Sequence, residues 1–221
     1  MNSRPRRFDL IVFDWDGTLF DSTALIVRSI QAACRDLGVQ VPSDSEAAYV
    51  IGLGLQEALE HAVPGLPRER YPELAQRYRQ HYFRSQHELA LFDGALGMLH
   101  ALKERNHWLA VATGKNRRGL DELLQKPELI GLFDATRTAD ETASKPNPLM
   151  LNELMREFGV DAERTLMIGD TTHDLQLADN AGAASLAVSY GAHEPEAFEQ
   201  HQPLAVLHST AELQDWLLAN A

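Results

Sequence analysis

Cysteine is almost missing from this chain. Cys34 is the one thiol in 221 residues, so no disulfide can close within it, and a reducing compartment is the simplest expectation. Long apolar runs are missing as well, and nothing approaches the ~20 residues that a membrane span needs. Arg4-Pro5-Arg6-Arg7 imitates the basic start of a secretory signal, but the apolar segment behind it ends within residues 10–13, far short of a signal core. These arginines are expected to form a solvated tail on a cytoplasmic protein. Positive charge is scarce: 20 Lys and Arg stand against 32 Asp and Glu, for a formal net charge of −12. That balance argues against a non-specific binder of nucleic acid or of an anionic membrane, whose footprint is basic. An anionic small ligand would have to be met by local cations or a metal ion. Repeats and low-complexity tracts are absent, and the length allows one large domain or two modest ones.

What is present is organised around residues 8–18, Phe-Asp-Leu-Ile-Val-Phe-Asp-Trp-Asp-Gly-Thr. The short apolar run with β-branched Ile11 and Val12 stops at Gly17 and reads as a buried parallel strand. Side chains alternate along an extended chain, so Asp14 and Asp16 can point the same way at the strand's carboxyl end, where open α/β sheets place their ligands. Two carboxylates there repel unless a cation or a shared proton intervenes. An Asp-rich turn with no chemistry is the other reading of this stretch taken alone.

From residue 21 to 91 the pattern is helical. Helices are expected over 21–37, from the Ser43/Glu46 capping box to about 51, over 55–61 and over 70–87, with Leu74, Tyr78 and Tyr82 on one face. From 92 onward helices and strands alternate. Strands are expected at 108–113, 133–136, 165–169, 184–188 and 204–207. Helices are expected at 95–105, 114–124, 148–158 and 174–180, with a last one behind a Ser209/Glu212 capping box. This predicts an α/β fold: a doubly wound, Rossmann-like parallel sheet with helices on both faces. Strands 8–14 and 108–113 lie nearly a hundred residues apart, whereas a βαβ unit needs roughly 30. The surplus 21–91 is therefore expected to be an inserted all-helical cap domain, with 1–20 and 92–221 forming the core. Its two connections should run side by side above the Asp14–Asp16 end, as a lid over a site.

The conspicuous polar residues of the core half all fall at strand ends or in the loops behind them: Thr113 with Gly114, Lys145 in Ser-Lys-Pro-Asn-Pro, and Asp170 with Asp174 four residues on. A doubly wound sheet gathers these with Asp14 and Asp16 at one edge. Four carboxylates and an ammonium suit a hard divalent cation, and Mg²⁺ takes one or two carboxylates, waters and a phosphate oxygen. A metal-held Asp14 can attack phosphorus to give an aspartyl-phosphate. Asp16 is placed to protonate the leaving group and then activate water. Lys145, Thr113 and the backbone N–H groups of Trp15 and Gly114 can neutralise charge on the phosphoryl group.

Asp14-Trp15-Asp16-Gly17-Thr18, Thr113, Lys145 and Gly169-Asp170-Thr171-Thr172-His173-Asp174 resemble, in order and spacing, the four signature motifs of the haloacid dehalogenase superfamily. The helical insertion resembles the type-1 cap of its phosphoglycolate phosphatase-like and β-phosphoglucomutase-like branch. The resemblance implies Asp14 as nucleophile and Asp16 as general acid/base. It implies Mg²⁺ held by Asp14, the backbone carbonyl of Asp16 and Asp170, with Asp174 as ligand or as support for one. Trp15, Asp16, Thr113, Gly114 and Lys145 would face the phosphate. The function implied is a Mg²⁺-dependent phosphatase acting on a small phosphorylated metabolite, phosphoglycolate-like or a sugar phosphate, in a monomer or homodimer that binds neither nucleic acid nor membrane.

Rivals on the same core are a phosphomutase and a hydrolase of diphosphate or nucleotides. A halide-displacing enzyme would lack the second aspartate of the first motif, and an inactive binding module would not keep Asp14, Asp16, Lys145 and Asp170. Several residues stay open: Lys115 as a phosphate contact or an exposed helix-start lysine, Gly52-Leu53-Gly54 as a substrate-facing loop or a plain break, and His173 as exposed, hydrogen-bonded or catalytic. Thr18 is expected to hold its turn. Trp108 and the Arg77-Tyr78-Arg79 group are expected to be packing or surface residues.

Overall fold

The computed structural model describes residues 6–221, with the side chain of Glu88 left out; Arg4 and Pro5 of the arginine tail lie outside these residues. Arg6 is not a free tail residue. It pairs with Asp9 at 2.7 Å, and Arg164 pairs with Asp9 from the other side.

The described residues form one six-stranded parallel sheet in the order β3-β2-β1-β4-β5-β6. The strands are β1 (Leu10–Phe13), β2 (Trp108–Thr113), β3 (Ala135–Thr138), β4 (Thr165–Gly169), β5 (Ala184–Val188) and β6 (Val206–Leu207). β1 lies at the centre with all four residues buried, as its unbroken apolar run requires. Phe13 is in register with Val111 on one side and Ile168 on the other, and the Asp14 N–H donates to the Ile168 carbonyl at 2.9 Å. Ile11, Phe13, Val111 and Ile168 face one apolar layer, whereas Leu10, Val12, Ala110 and Met167 face a second. The chain winds outward from β1 to β3, then returns to the other flank of β1 at β4. The switch point therefore falls between β1 and β4, the place for a ligand in this kind of sheet.

Helices α1 (Thr23–Leu37), α2 (Asp44–Tyr49), α3 (Leu55–Ala62) and α4 (Tyr71–Ser85) occupy the stretch between β1 and α5 (Ala95–Glu104), and α1 packs along α4. The Ser43/Glu46 capping box is formed. The two connections run side by side: Phe20 bridges Leu91, and the Phe92 N–H donates to the Leu19 carbonyl at 2.9 Å. The remaining helices are α6 (Arg117–Leu124), α7 (Leu149–Phe158), α8 (Thr172–Ala181) and α9 (Thr210–Asn220). No helix among the described residues is long and apolar enough to cross a membrane.

Some sequence expectations shift. The strand expected at 133–136 forms at 135–138, and Asp134 just before it ties to β2 through its N–H on the Leu109 carbonyl and its carboxylate on the Leu109 N–H. The 204–207 strand shrinks to its last two residues. Ser209 caps α9, but Glu212 takes the N–H of His208 rather than completing a box. α8 begins at Thr172, two residues early, because Thr171 and Asp174 form a capping box of their own. Trp108 is 44% exposed and stacks on Phe158 rather than entering the core.

Candidate functional site

The sheet's carboxyl edge brings Asp14, Asp170, Asp174 and Lys145 into direct contact. Asp14 follows β1, Asp170 follows β4, and Asp174 stands in the first turn of α8. One carboxylate oxygen from each of these three lies within 4.8 Å of the other two. Lys145 Nζ is 2.7 Å from Asp14 Oδ1 and 2.6 Å from Asp174 Oδ1. All four residues are 1% exposed or less. Burial works against the lysine's charge, but Asp14 and Asp174 outweigh it and hold the ammonium above its ordinary range. One lysine cannot balance three buried carboxylates. Burial first, then the neighbouring carboxylates, push Asp14 well above the usual carboxylate range, and burial with Asp174 pushes Asp170 up to about 7.

Two of the carboxylates are fixed by donors. Thr18 Oγ1 and the Ala192 N–H each donate to Asp170 at 2.7 Å, and the Thr171 N–H and hydroxyl donate to Asp174 Oδ2. Asp14 Oδ2, in contrast, has no hydrogen-bond partner among the described residues. A fully buried carboxylate oxygen without a donor, beside two aimed carboxylates, fits a divalent cation bound by oxygen ligands. Space is made for Asp170 by glycine. A Cβ on Gly17 would lie 2.2 Å from Asp170 Oδ2, and one on Gly191 2.2 Å from Asp170 Cβ.

Asp16 does not join this group. Its carboxylate accepts from Ser22 Oγ at 2.7 Å and pairs with Lys115 Nζ at 2.9 Å, and it is not among the three that converge. Lys115 is not an exposed helix-start residue, since α6 begins beyond the Asn116 cap. It also donates to the Tyr82 hydroxyl at 2.9 Å, linking the sheet to α4. Thr113 is buried at the end of β2, where its Oγ1 accepts the Lys115 N–H at 3.2 Å. The Trp15 ring is packed on Phe20, so only its main chain can serve a phosphate.

The loop 52–54 closes directly on the site. Gly114 has no room for a side chain, because a Cβ there would meet Leu53 O at 2.3 Å and Gly52 O at 2.6 Å. The Gly54 N–H donates to Ser144 Oγ at 2.9 Å, next to Lys145. A second tie lies at the end of α2. The Nε2 atoms of His173 and His193 both reach the Tyr49 carbonyl, at 2.8 and 3.0 Å, and the Tyr49 ring stacks flat on His193. His173 is thus buried and hydrogen-bonded. Sequence reading missed the 190–193 loop, Ser22 and Tyr49. The signal for the first was its place behind β5, since every other strand end at this edge carries a polar group.

Comparison with known proteins agrees with this geometry. A model of the haloacid dehalogenase-like hydrolase family matches residues 11–188. A phosphoglycolate phosphatase of Aliivibrio fischeri is 33% identical over 88% of this chain and 89% of its own. A 5′-nucleotidase of Pseudomonas aeruginosa is 32% identical over 92% of each. The crystal structure of a predicted phosphatase from Clostridium acetobutylicum superposes with a TM-score of 0.83 at 25% identity, covering 96% of this chain and 99% of that one. With the motifs gathered at one sheet edge and the match running through most of the chain, the protein is an enzyme of the haloacid dehalogenase-like hydrolase family.

Proposed function

We propose that the protein is a Mg²⁺-dependent phosphatase that hydrolyses a small phosphate monoester through an aspartyl-phosphate on Asp14. The observation that carries this is the convergence of Asp14, Asp170 and Asp174 on one point beside the buried Lys145, with one Asp14 oxygen lacking any donor. Relatives named for phosphoglycolate and for nucleotides share the phosphoryl group and differ in the alcohol. We take 1–20 and 92–221 as the core that handles phosphorus, and 21–91 as a cap that meets the alcohol.

In this reading Asp14 forms a bond to phosphorus as the bond from phosphorus to the leaving oxygen breaks, and Asp16 gives that oxygen its proton, so the alcohol departs neutral. Water then attacks phosphorus, its proton passes to the Asp16 carboxylate, and Asp14 leaves as a carboxylate with inorganic phosphate released. Lys145 holds Asp14 in place and, with Thr113 and the backbone N–H groups of Trp15 and Gly114, offsets charge on the phosphoryl oxygens. Ser22 and Lys115 hold the Asp16 carboxylate in place and favour its ionised form, the form that takes the proton from water in the second step. Mg²⁺ held by Asp14, the Asp16 carbonyl, Asp170 and Asp174 would supply the positive charge that lets phosphate enter so acidic a site. Calorimetric titration with inorganic phosphate tests this: affinity should rise strongly with Mg²⁺, and equal affinity in EDTA would reject the metal-dependent reading.

A further inference from the structure

Building on the phosphatase reading, on which this step rests, we propose that the cavity beyond Asp16 takes a leaving alcohol that is uncharged and carries an aromatic or apolar ring of nucleoside size. A second anionic group would be selected against. The cavity is about 450 Å³, within the ~300–1,000 Å³ range in which pockets enclose drug-sized ligands. A two-carbon acid would fill little of it. It opens on Asp16, the residue assigned to the leaving oxygen, so whatever occupies it is continuous with the reacting atoms.

Its walls are Ile30, Ile51, Leu53, Tyr78, Tyr82 and Phe83. Tyr78 and Tyr82 stack with centroids 5.8 Å apart, and Tyr82 meets Phe83 edge-on at 6.0 Å. Such faces receive a flat ring well. The charged lining side chains are Asp16, Glu57 and Asp140 against Lys115 and Arg79. Lys115 is committed to Asp16 and the Tyr82 hydroxyl, and Arg79 is exposed on α4. With Lys115 and Asp16 paired to each other, Glu57 and the exposed Asp140 stand against the exposed Arg79, so a carboxylate or second phosphate brought into this cavity would shed its water without an uncommitted buried cation in return.

The test compares three esters of primary alcohols, whose intrinsic leaving-group chemistry is alike: thymidine 5′-monophosphate, glucose 6-phosphate and phosphoglycolate, each with Mg²⁺. The expected kcat/KM for the thymidine ester exceeds both others by about tenfold or more. Equal or faster hydrolysis of phosphoglycolate overturns the proposal. Phe83→Lys places a cation on the exposed part of the wall and should narrow the gap several-fold through KM, with Phe83→Leu keeping the wild-type order. A ratio unmoved by Phe83→Lys would also count against it. Calorimetry on Asp14→Asn with Mg²⁺ and the same ligands keeps the two readings apart. If wild type hydrolyses none of the esters, the phosphatase reading fails. If the thymidine ester fails to bind most tightly, the cavity assignment fails.

Discussion

The sheet edge and the helical insertion meet at the site as two different kinds of wall. On the sheet side, Asp14, Asp170, Asp174 and Lys145 are wholly buried and touch one another through charges. Each is anchored at a strand end or in a helix's first turn. On the insertion side, aromatic and aliphatic groups enclose the cavity. That wall reaches the sheet through a few polar ties: Gly54 to Ser144, Tyr82 to Lys115, and the Tyr49 carbonyl to two histidines. The first wall is costly without a counter-ion. The second holds ordinary apolar contacts that can be exchanged. One chemistry with many alcohols is what such a division supports.

The comparison breaks most severely at Asp14. Asp14→Asn should lower turnover at least about a thousandfold on every ester alike, with circular dichroism and thermal midpoint preserved, because a buried charge is removed without loss of volume. Lys145→Met strikes the same wall through stability. It leaves Asp14 and Asp174 without their shared cation and should cost about 3–5 kcal/mol by urea unfolding in EDTA, with part returned by Mg²⁺. Gly114→Val acts on the seam. Its side chain must displace the carbonyls of Gly52 and Leu53, lifting the insertion, and kcat/KM should fall on the order of 10²-fold while the thermal midpoint drops with the displaced backbone.

The smallest effect is a pH dependence confined to the sheet wall. Asp14 and Asp170 have folded-state pKa values raised above the ordinary 3.8, Asp170 to about 7. Over that interval the folded form binds more protons than the unfolded one, so the Asp170 contribution is full at low pH and fades as pH rises toward about 7, and Asp14 acts in the same direction. In EDTA the thermal midpoint should therefore lose ground from pH 5 to 7.5, and the rise produced by Mg²⁺ should be larger at pH 7.5. A Mg²⁺ effect independent of pH would contradict it.

The same division governs what the sequence discloses. Asp14, Asp16, Thr113, Lys145, Asp170 and Asp174 stand out because a charged or hydroxyl side chain at the end of an apolar strand has few structural uses, and the alternation of strand and helix says which edge they share. The strand bounds near Asp134 and Leu204 were less legible, as was the box behind Ser209, where Glu212 takes the His208 N–H instead. The cavity wall was nearly silent. Tyr78 and Tyr82 were visible as one face of a helix, but a buried face and a ligand-facing face have the same period. Lys115 was ambiguous for a related reason: its partners, Asp16 and Tyr82, come from segments nearly a hundred and some thirty residues away in the chain, and only the folded insertion brings them together.

The assignment of Asp14 is open to a direct chemical test. Turnover of a phosphate monoester with Mg²⁺, quenched within milliseconds into borohydride, reduces any aspartyl-phosphate to homoserine, which peptide mass spectrometry can place. Homoserine at position 14, absent from the Asp14→Asn variant and from samples without ester, is the predicted result. Homoserine at position 16 or 170, or none in an enzyme shown to be turning over, would contradict Asp14 as the nucleophile.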